Sequence, residues 1–169
     1  MDSYRPPTGT PVRDLDTPCL LVDLDALEHN YGLIADTYRN TACKMRQHIK
    51  NVKSPVVSQM QIRTGGTVGG VCAAKVSEAE VMVEGGVGDV LITSQVAARD
   101  KMARLCSLAK GADVKVAVDD GDNLRQWSEV AQLRPGGWRL GAGAGGGQQG
   151  HGDSHWQGPG GDNRVRMDT

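Results

Sequence analysis

Residues 67–93 read TVGGVCAAKVSEAEVMVEGGVGDVLIT, and this stretch decides the fold. Thr67–Lys75 is a short strand-like run. Residues 77–86, SEAEVMVEGG, carry a helical pattern, with Ser77 and Glu80 spaced as a capping box and Gly85 as the stop. Residues 89–93, DVLIT, are again strand-like. A helix between two strands is the connection that parallel strands need.

The same unit recurs on either side. Downstream, residues 98–111 predict a helix with Met102, Leu105, Leu108 and Ala109 on one face and Gly111 at its end. VKVAV (114–118) predicts a strand and residues 122–133 a helix. Upstream, residues 42–50, ACKMRQHIK, predict a strand, and Ser54 and Pro55 open a helix as N-cap and first helical residue. CLLVDLD (19–25) predicts another strand. Asp25 and Glu28 are spaced as a capping box for a helix to about Arg39, with Leu27, Tyr31, Ile34, Ala35 and Tyr38 on one face. Alternation of this kind predicts an α/β fold with a parallel sheet, open or closed into a barrel.

The flanks differ. Residues 1–16 are rich in Pro and Gly and read as a flexible arm. More than half of the chain's 23 glycines fall after Pro135. Residues 135–169 therefore read as a Gly-rich tail, disordered because it cannot bury enough surface to offset its ordering entropy. The last helix, residues 122–133, calls for a further strand where this tail begins, so a shift of reading frame near residue 140 is the other expectation. The intervening residues, 17–134, form the folded unit.

Composition excludes several function classes. A net charge of −1 over 169 residues gives no electrostatic case for nucleic acid as a partner. No apolar run is long enough to span a membrane. The N-terminal residues lack the apolar core of a signal peptide, so the expectation is a cytoplasmic protein. Cys19, Cys43, Cys72 and Cys106 contain no CxxC pair, which argues for reduced thiols over a disulfide framework or zinc knuckle.

The chemistry concentrates in KMRQHIKNVKSP, Lys44–Pro55. Strand alternation puts Arg46, His48 and Lys50 on one face and Met45, Gln47 and Ile49 on the other. In a barrel, Lys50 falls at the C-terminal end of its strand, where active groups of such folds sit. Neighbouring Arg46, His48 and Lys53, with partial desolvation, would favour its neutral amine, the form that condenses with a carbonyl. The plain alternative is a solvated lysine at a strand end.

Other residues carry weaker signals. His151 and His155 are four apart, but glycine surrounds them and argues against a metal-binding helix. Thr64–Gly70, TGGTVGG, precedes a strand rather than a helix and reads as a turn, not a phosphate loop. Lys75 ends a strand and reads as structural. Cys72 reads as a small core residue. Asp119 and Asp120 read as turn and N-cap residues.

DLDTPCLLVDLDALEHN (14–30), MRQHIKNVKSP (45–55) and GVCAAKVSEAEVMVEGGVGDVLIT (70–93) resemble the D-threonine aldolase, 3-hydroxy-D-aspartate aldolase and eukaryotic-type D-serine dehydratase family. Its fold is that of the alanine racemase N-terminal barrel. The family hallmark reads roughly R-P-H-x-K-T-H-K. Arg46, His48, Lys50 and Lys53 match it; Gln47, Asn51 and Val52 depart from it.

The resemblance implies a partial (β/α)8 TIM-like barrel, about its first half, since a whole one needs about 250 residues. It implies pyridoxal 5'-phosphate as cofactor, Lys50 as its Schiff-base lysine, and Arg46 and His48 as cofactor-binding neighbours. The implied reaction is retro-aldol cleavage of a D-3-hydroxy amino acid to glycine and an aldehyde, with dehydration as the alternative. A divalent metal (Mn, Mg or Zn) would be held by a His and a Cys of a C-terminal β-domain, and CLLVDLD would add a strand to that domain. The family implies a homodimer. A further expectation is that a chain holding only the N-terminal part, without the phosphate and metal sites, is non-catalytic.

Overall fold

Four parallel strands lie side by side in sequence order: β1 (Met45–His48), β2 (Thr67–Ala73), β3 (Asp89–Ile92) and β4 (Asp113–Val116). Helices α1 (Leu24–Tyr38), α2 (Pro55–Thr64), α3 (Val76–Glu84), α4 (Arg99–Leu108) and α5 (Gly121–Gln132) precede, separate and follow them. This computed structural model describes residues 4–132 and the backbone of residues 138–141 and 164–167. The last two segments are β5 (Trp138–Gly141) and β6 (Arg164–Met167), paired antiparallel. They are the described part of the expected tail; its remainder, with His151 and His155, lies outside the described residues.

Strands β2, β3 and β4 are each buried on one face, while β1 is half-buried throughout. In register, Val71, Val90 and Val114 line up, as do Ala73 and Ile92, and Ile92 and Val116. All six are buried against Ala79 and Met82 of α3, Met102, Leu105 and Cys106 of α4, and Trp127 of α5. Burying such aliphatic side chains contributes about 1.5–3 kcal/mol each. The alternate residues form the opposite face of the sheet: Arg46, His48, Cys72, Asp89, Leu91, Asp113 and Lys115, none fully buried. Period-two alternation thus separates an apolar, helix-covered face from a charged one.

The helix faces follow the pattern. Tyr31 and Ala35 are buried on α1, and the Tyr31 hydroxyl donates to Val57 O of α2 at 3.3 Å. Gly66, at φ +71°, lies so close to α1 that a Cβ there would be 2.7 Å from Ala35 Cα. That position requires glycine for both space and conformation.

Four expectations need correction. CLLVDLD forms no strand: Leu20 is 99% exposed, and no described strand lies beside it to complete a ladder. The N-cap of α1 is Asp23, whose carboxylate accepts from Ala26 N at 3.0 Å, so the helix starts two residues earlier than an Asp25 cap would place it. Helix α3 starts at Val76, not after Ser77; Glu78 instead reaches back to accept from Ala74 N at 3.0 Å. Cys72 lies on the charged face, because the apolar phase of β2 is carried by Val71 and Ala73.

Candidate active site

The site is built on the end of β1. Ile49 is fully buried, and its N–H donates to Cys72 O at 2.9 Å, extending the ladder one residue past His48. Lys50 follows at once and is exposed. Lys53 N donates to Ile49 O at 2.8 Å and closes the turn, with Lys53 itself at φ +45°. The Lys53 ammonium lies 3.4 Å from Glu78 Oε1, which ties the turn to the first turn of α3. Burial alone would raise the Glu78 carboxyl, but the Ala74 N–H and Lys53 outweigh it and hold it below the ordinary carboxylate range. Ser54 then caps α2, accepting from Val57 N at 3.4 Å. Lys50 is thus presented by a turn fixed at both ends.

His48 lies beside it. Its Nδ1 accepts the Lys50 backbone N–H at 3.1 Å. Its Nε2 is 3.3 Å from Thr93 Oγ1, just beyond β3. Thr93 Oγ1 in turn lies 3.3 Å from Ala73 O.

Arg46 belongs to a lower layer on the same face. Its two terminal nitrogens donate to the two Asp89 oxygens at 2.8 Å each. Lys115 donates to Asp89 Oδ1 at 2.8 Å and to Asp113 Oδ2 at 2.6 Å. Arg46 reaches β3 by crossing β2, and Gly70 lies under the crossing. A Cβ at position 70 would sit 2.5 Å from Arg46 Nη1 and 2.6 Å from Asp89 Cγ. Burial opposes ionisation of Asp89, but Arg46 and Lys115 prevail and hold its carboxyl below the ordinary range. The bidentate bond to Asp89 raises the Arg46 guanidinium against its own desolvation. Burial pushes the neighbouring Cys72 thiol up, with Arg46 opposing.

Of the residues singled out from sequence, Lys50 and His48 are brought together and share a hydrogen bond. Arg46 lies one layer below, bound to Asp89. Lys53 is bound to Glu78, so two of the cations expected around Lys50 each have a carboxylate partner. Lys75 is exposed at the N-cap position of α3. Asp120 accepts from Asp122 N at 2.7 Å and Asn123 N at 3.4 Å at the start of α5, the cap role expected, whereas Asp119 accepts from the distant Gln95 Nε2 at 2.7 Å. Sequence reasoning did not single out Thr93, Glu78, Asp89 or Lys115, and it read Gly70 only as part of a turn. The available signals were a polar residue closing DVLIT and two charges, Asp89 and Lys115, at alternate-face positions of buried strands.

The donor set fits an aldehyde cofactor in one respect: Lys50, which carries an exposed primary amine, follows the end of β1 and its backbone N–H is bonded to the His48 imidazole. Among the described residues no group of three or more His, Cys, Asp or Glu could hold a metal ion. No helix there is long and apolar enough to cross a membrane.

Comparison with known proteins matches residues 22–143 to the family described as alanine racemase, N-terminal domain. The 3-hydroxy-D-aspartate aldolase of Paracoccus denitrificans (strain Pd 1222) is 44% identical over 125 residues, 73% of this chain and 32% of the relative. The D-threonine aldolase of an Arthrobacter species is 35% identical over 72% of this chain and 32% of its own length. The D-threo-3-hydroxyaspartate dehydratase of Delftia sp. (strain HT23) is 29% identical over 62% and 27%. Among solved structures, the D-threonine aldolase from Filomicrobium marinum superposes with a TM-score of 0.68 at 41% identity, covering 73% of this chain and 33% of that one. The chain spans about a third of the length of these curated relatives.

Proposed function

The chain belongs to the alanine racemase N-terminal domain family, and from that premise we propose that it is the Lys50-bearing part of a pyridoxal-phosphate-dependent lyase. Its substrates in this reading are D-3-hydroxy amino acids, D-threonine or 3-hydroxy-D-aspartate, cleaved to glycine and an aldehyde. The observation that carries the proposal is the position of Lys50: an exposed amine on a clamped turn at the end of β1, against His48. The aldolase relatives favour carbon–carbon cleavage. The unit responsible spans residues 17–134.

Pyridoxal phosphate, when bound, supplies the electron sink for the broken Cα–Cβ bond. The chain's own contribution is narrower. Lys50 Nζ is the primary amine that would hold the cofactor through its aldehyde carbon. The turn limits where that nitrogen can go, which lowers the entropic cost of reaching the reactive geometry. His48 would stand beside the turn that carries the cofactor, its ring bonded to the Lys50 backbone N–H.

The test is chemical trapping. The protein is mixed with pyridoxal phosphate, reduced with borohydride, digested and mapped by mass spectrometry. The adduct is expected on Lys50, and Lys50→Ala is expected to abolish it. An adduct spread evenly over the exposed lysines would refute the assignment. The products from D-threonine and 3-hydroxy-D-aspartate then distinguish cleavage from dehydration, the second reading favoured by the dehydratase relative. Glycine and an aldehyde support the aldolase; a 2-oxo acid and ammonia support the dehydratase.

A further inference from the structure

The imidazole of His48 is held at both nitrogens. Nδ1 receives the N–H of Lys50, a backbone group that can only donate. Nδ1 is therefore the unprotonated nitrogen, and the ring proton sits on Nε2. Nε2 faces Thr93 Oγ1 at 3.3 Å. The Thr93 hydroxyl has a carbonyl, Ala73 O, at 3.3 Å on its other side, and a carbonyl can only accept. The hydroxyl proton is thus directed to Ala73 O, leaving an Oγ1 lone pair for Nε2–H. One consistent direction of donation runs His48 Nε2–H to Thr93 Oγ1–H to Ala73 O, while Lys50 N–H donates to Nδ1.

We propose that Thr93 is a positioning residue that acts through His48 on the turn presenting Lys50. Thr93 fixes the ring in its Nε2–H tautomer, and only that tautomer offers Nδ1 to the Lys50 N–H. The backbone of Lys50 is thereby tied across β2 to the end of β3, and Thr93 N–H, bound to Ala73 O at 2.9 Å, anchors the far end. Its consequence for cofactor attachment rests on the reading of Lys50 as the anchor; the tautomer and the tie do not.

The experiment compares wild type with Thr93→Val, which keeps the shape and removes the hydroxyl, and Thr93→Ser, which restores the hydroxyl. Circular dichroism checks that each folds. Nitrogen-15 NMR reads the His48 tautomer, hydrogen exchange reads the Lys50 amide, and borohydride trapping reads the rate of pyridoxal phosphate attachment. Wild type and Thr93→Ser are expected to show Nε2–H and a protected Lys50 amide. Thr93→Val is expected to mix the tautomers, speed exchange at Lys50 and slow trapping by roughly three- to tenfold, the scale of one lost neutral hydrogen bond. An Nδ1–H ring in wild type overturns the proposal. So does a Thr93→Val protein with unchanged tautomer and exchange, or one with both altered and an unchanged trapping rate. If wild type is not trapped at Lys50 at all, the anchor reading fails, and the tautomer and amide exchange still decide the positioning role.

Discussion

Position 70 has no room for a methyl group. Its backbone lies under the Arg46–Asp89 crossing, and an added Cβ would meet both partners at 2.5 and 2.6 Å and the Asp89 carbonyl oxygen at 2.6 Å. Two of these atoms belong to a bidentate ion pair and the third to the backbone of β3, so none yields cheaply. Gly70→Ala is expected to cost about 1–3 kcal/mol, the range for overpacking a filled site, measured by urea denaturation. Unchanged stability would mean that Arg46 does not cross β2 as described. From the sequence, Gly70 reads as the end of a turn, because adjacent glycines signal turns. Its other use, letting a side chain pass over a strand, depends on what lies two strands away. His48 was legible for the opposite reason: it belongs to one strand, where alternation fixes direction without any tertiary knowledge, whereas Lys50 was picked out by the family pattern.

Elements were legible where periodicity is long, and less so at their ends. The order of β1–β4 and α1–α5 follows from alternating periods of two and about 3.6. Helix starts are decided by one side chain, and α1 offers two aspartates two residues apart. Asp23 wins by accepting from Ala26 N. Asp25 lies inside the first turn, near the positive end of the helix dipole. Asp23→Ala is expected to cost about 1 kcal/mol, the usual value of an N-cap, and Asp25→Ala less. Denaturation curves of the two variants check this, and the reverse ranking would restore Asp25 as the cap. Residues 19–25 show the opposite failure. Their composition suits a strand, but strand stability comes from cross-strand neighbours, and Leu20, Leu21 and Val22 have none among the described residues.

Across the molecule, the polar face of the sheet is stitched twice from β1 to β3, both times over β2. The rim stitch is His48–Thr93, and the deeper one is Arg46–Asp89, extended to β4 by Lys115. Parallel neighbours are already joined by backbone hydrogen bonds, so these side chains add a constraint of longer reach, on the curvature of the sheet. Asp89 is the hub, since it alone holds both cations. Asp89→Asn keeps the shape but leaves Arg46 and Lys115 sharing one amide oxygen. The expected loss at neutral pH is about 2 kcal/mol, below the 3–5 kcal/mol of a fully buried pair because solvent reaches the network. The sign with pH follows from the depressed carboxyl. In the unfolded chain Asp89 protonates in the ordinary carboxylate range, and in the folded chain only at lower pH. Its stabilising effect is therefore complete above the unfolded value and disappears as pH falls through the folded one. Wild type and Asp89→Asn should differ most near neutrality and converge in acid, in urea denaturation followed across pH. A constant gap between the two curves would mean that the network holds the sheet by shape rather than by charge.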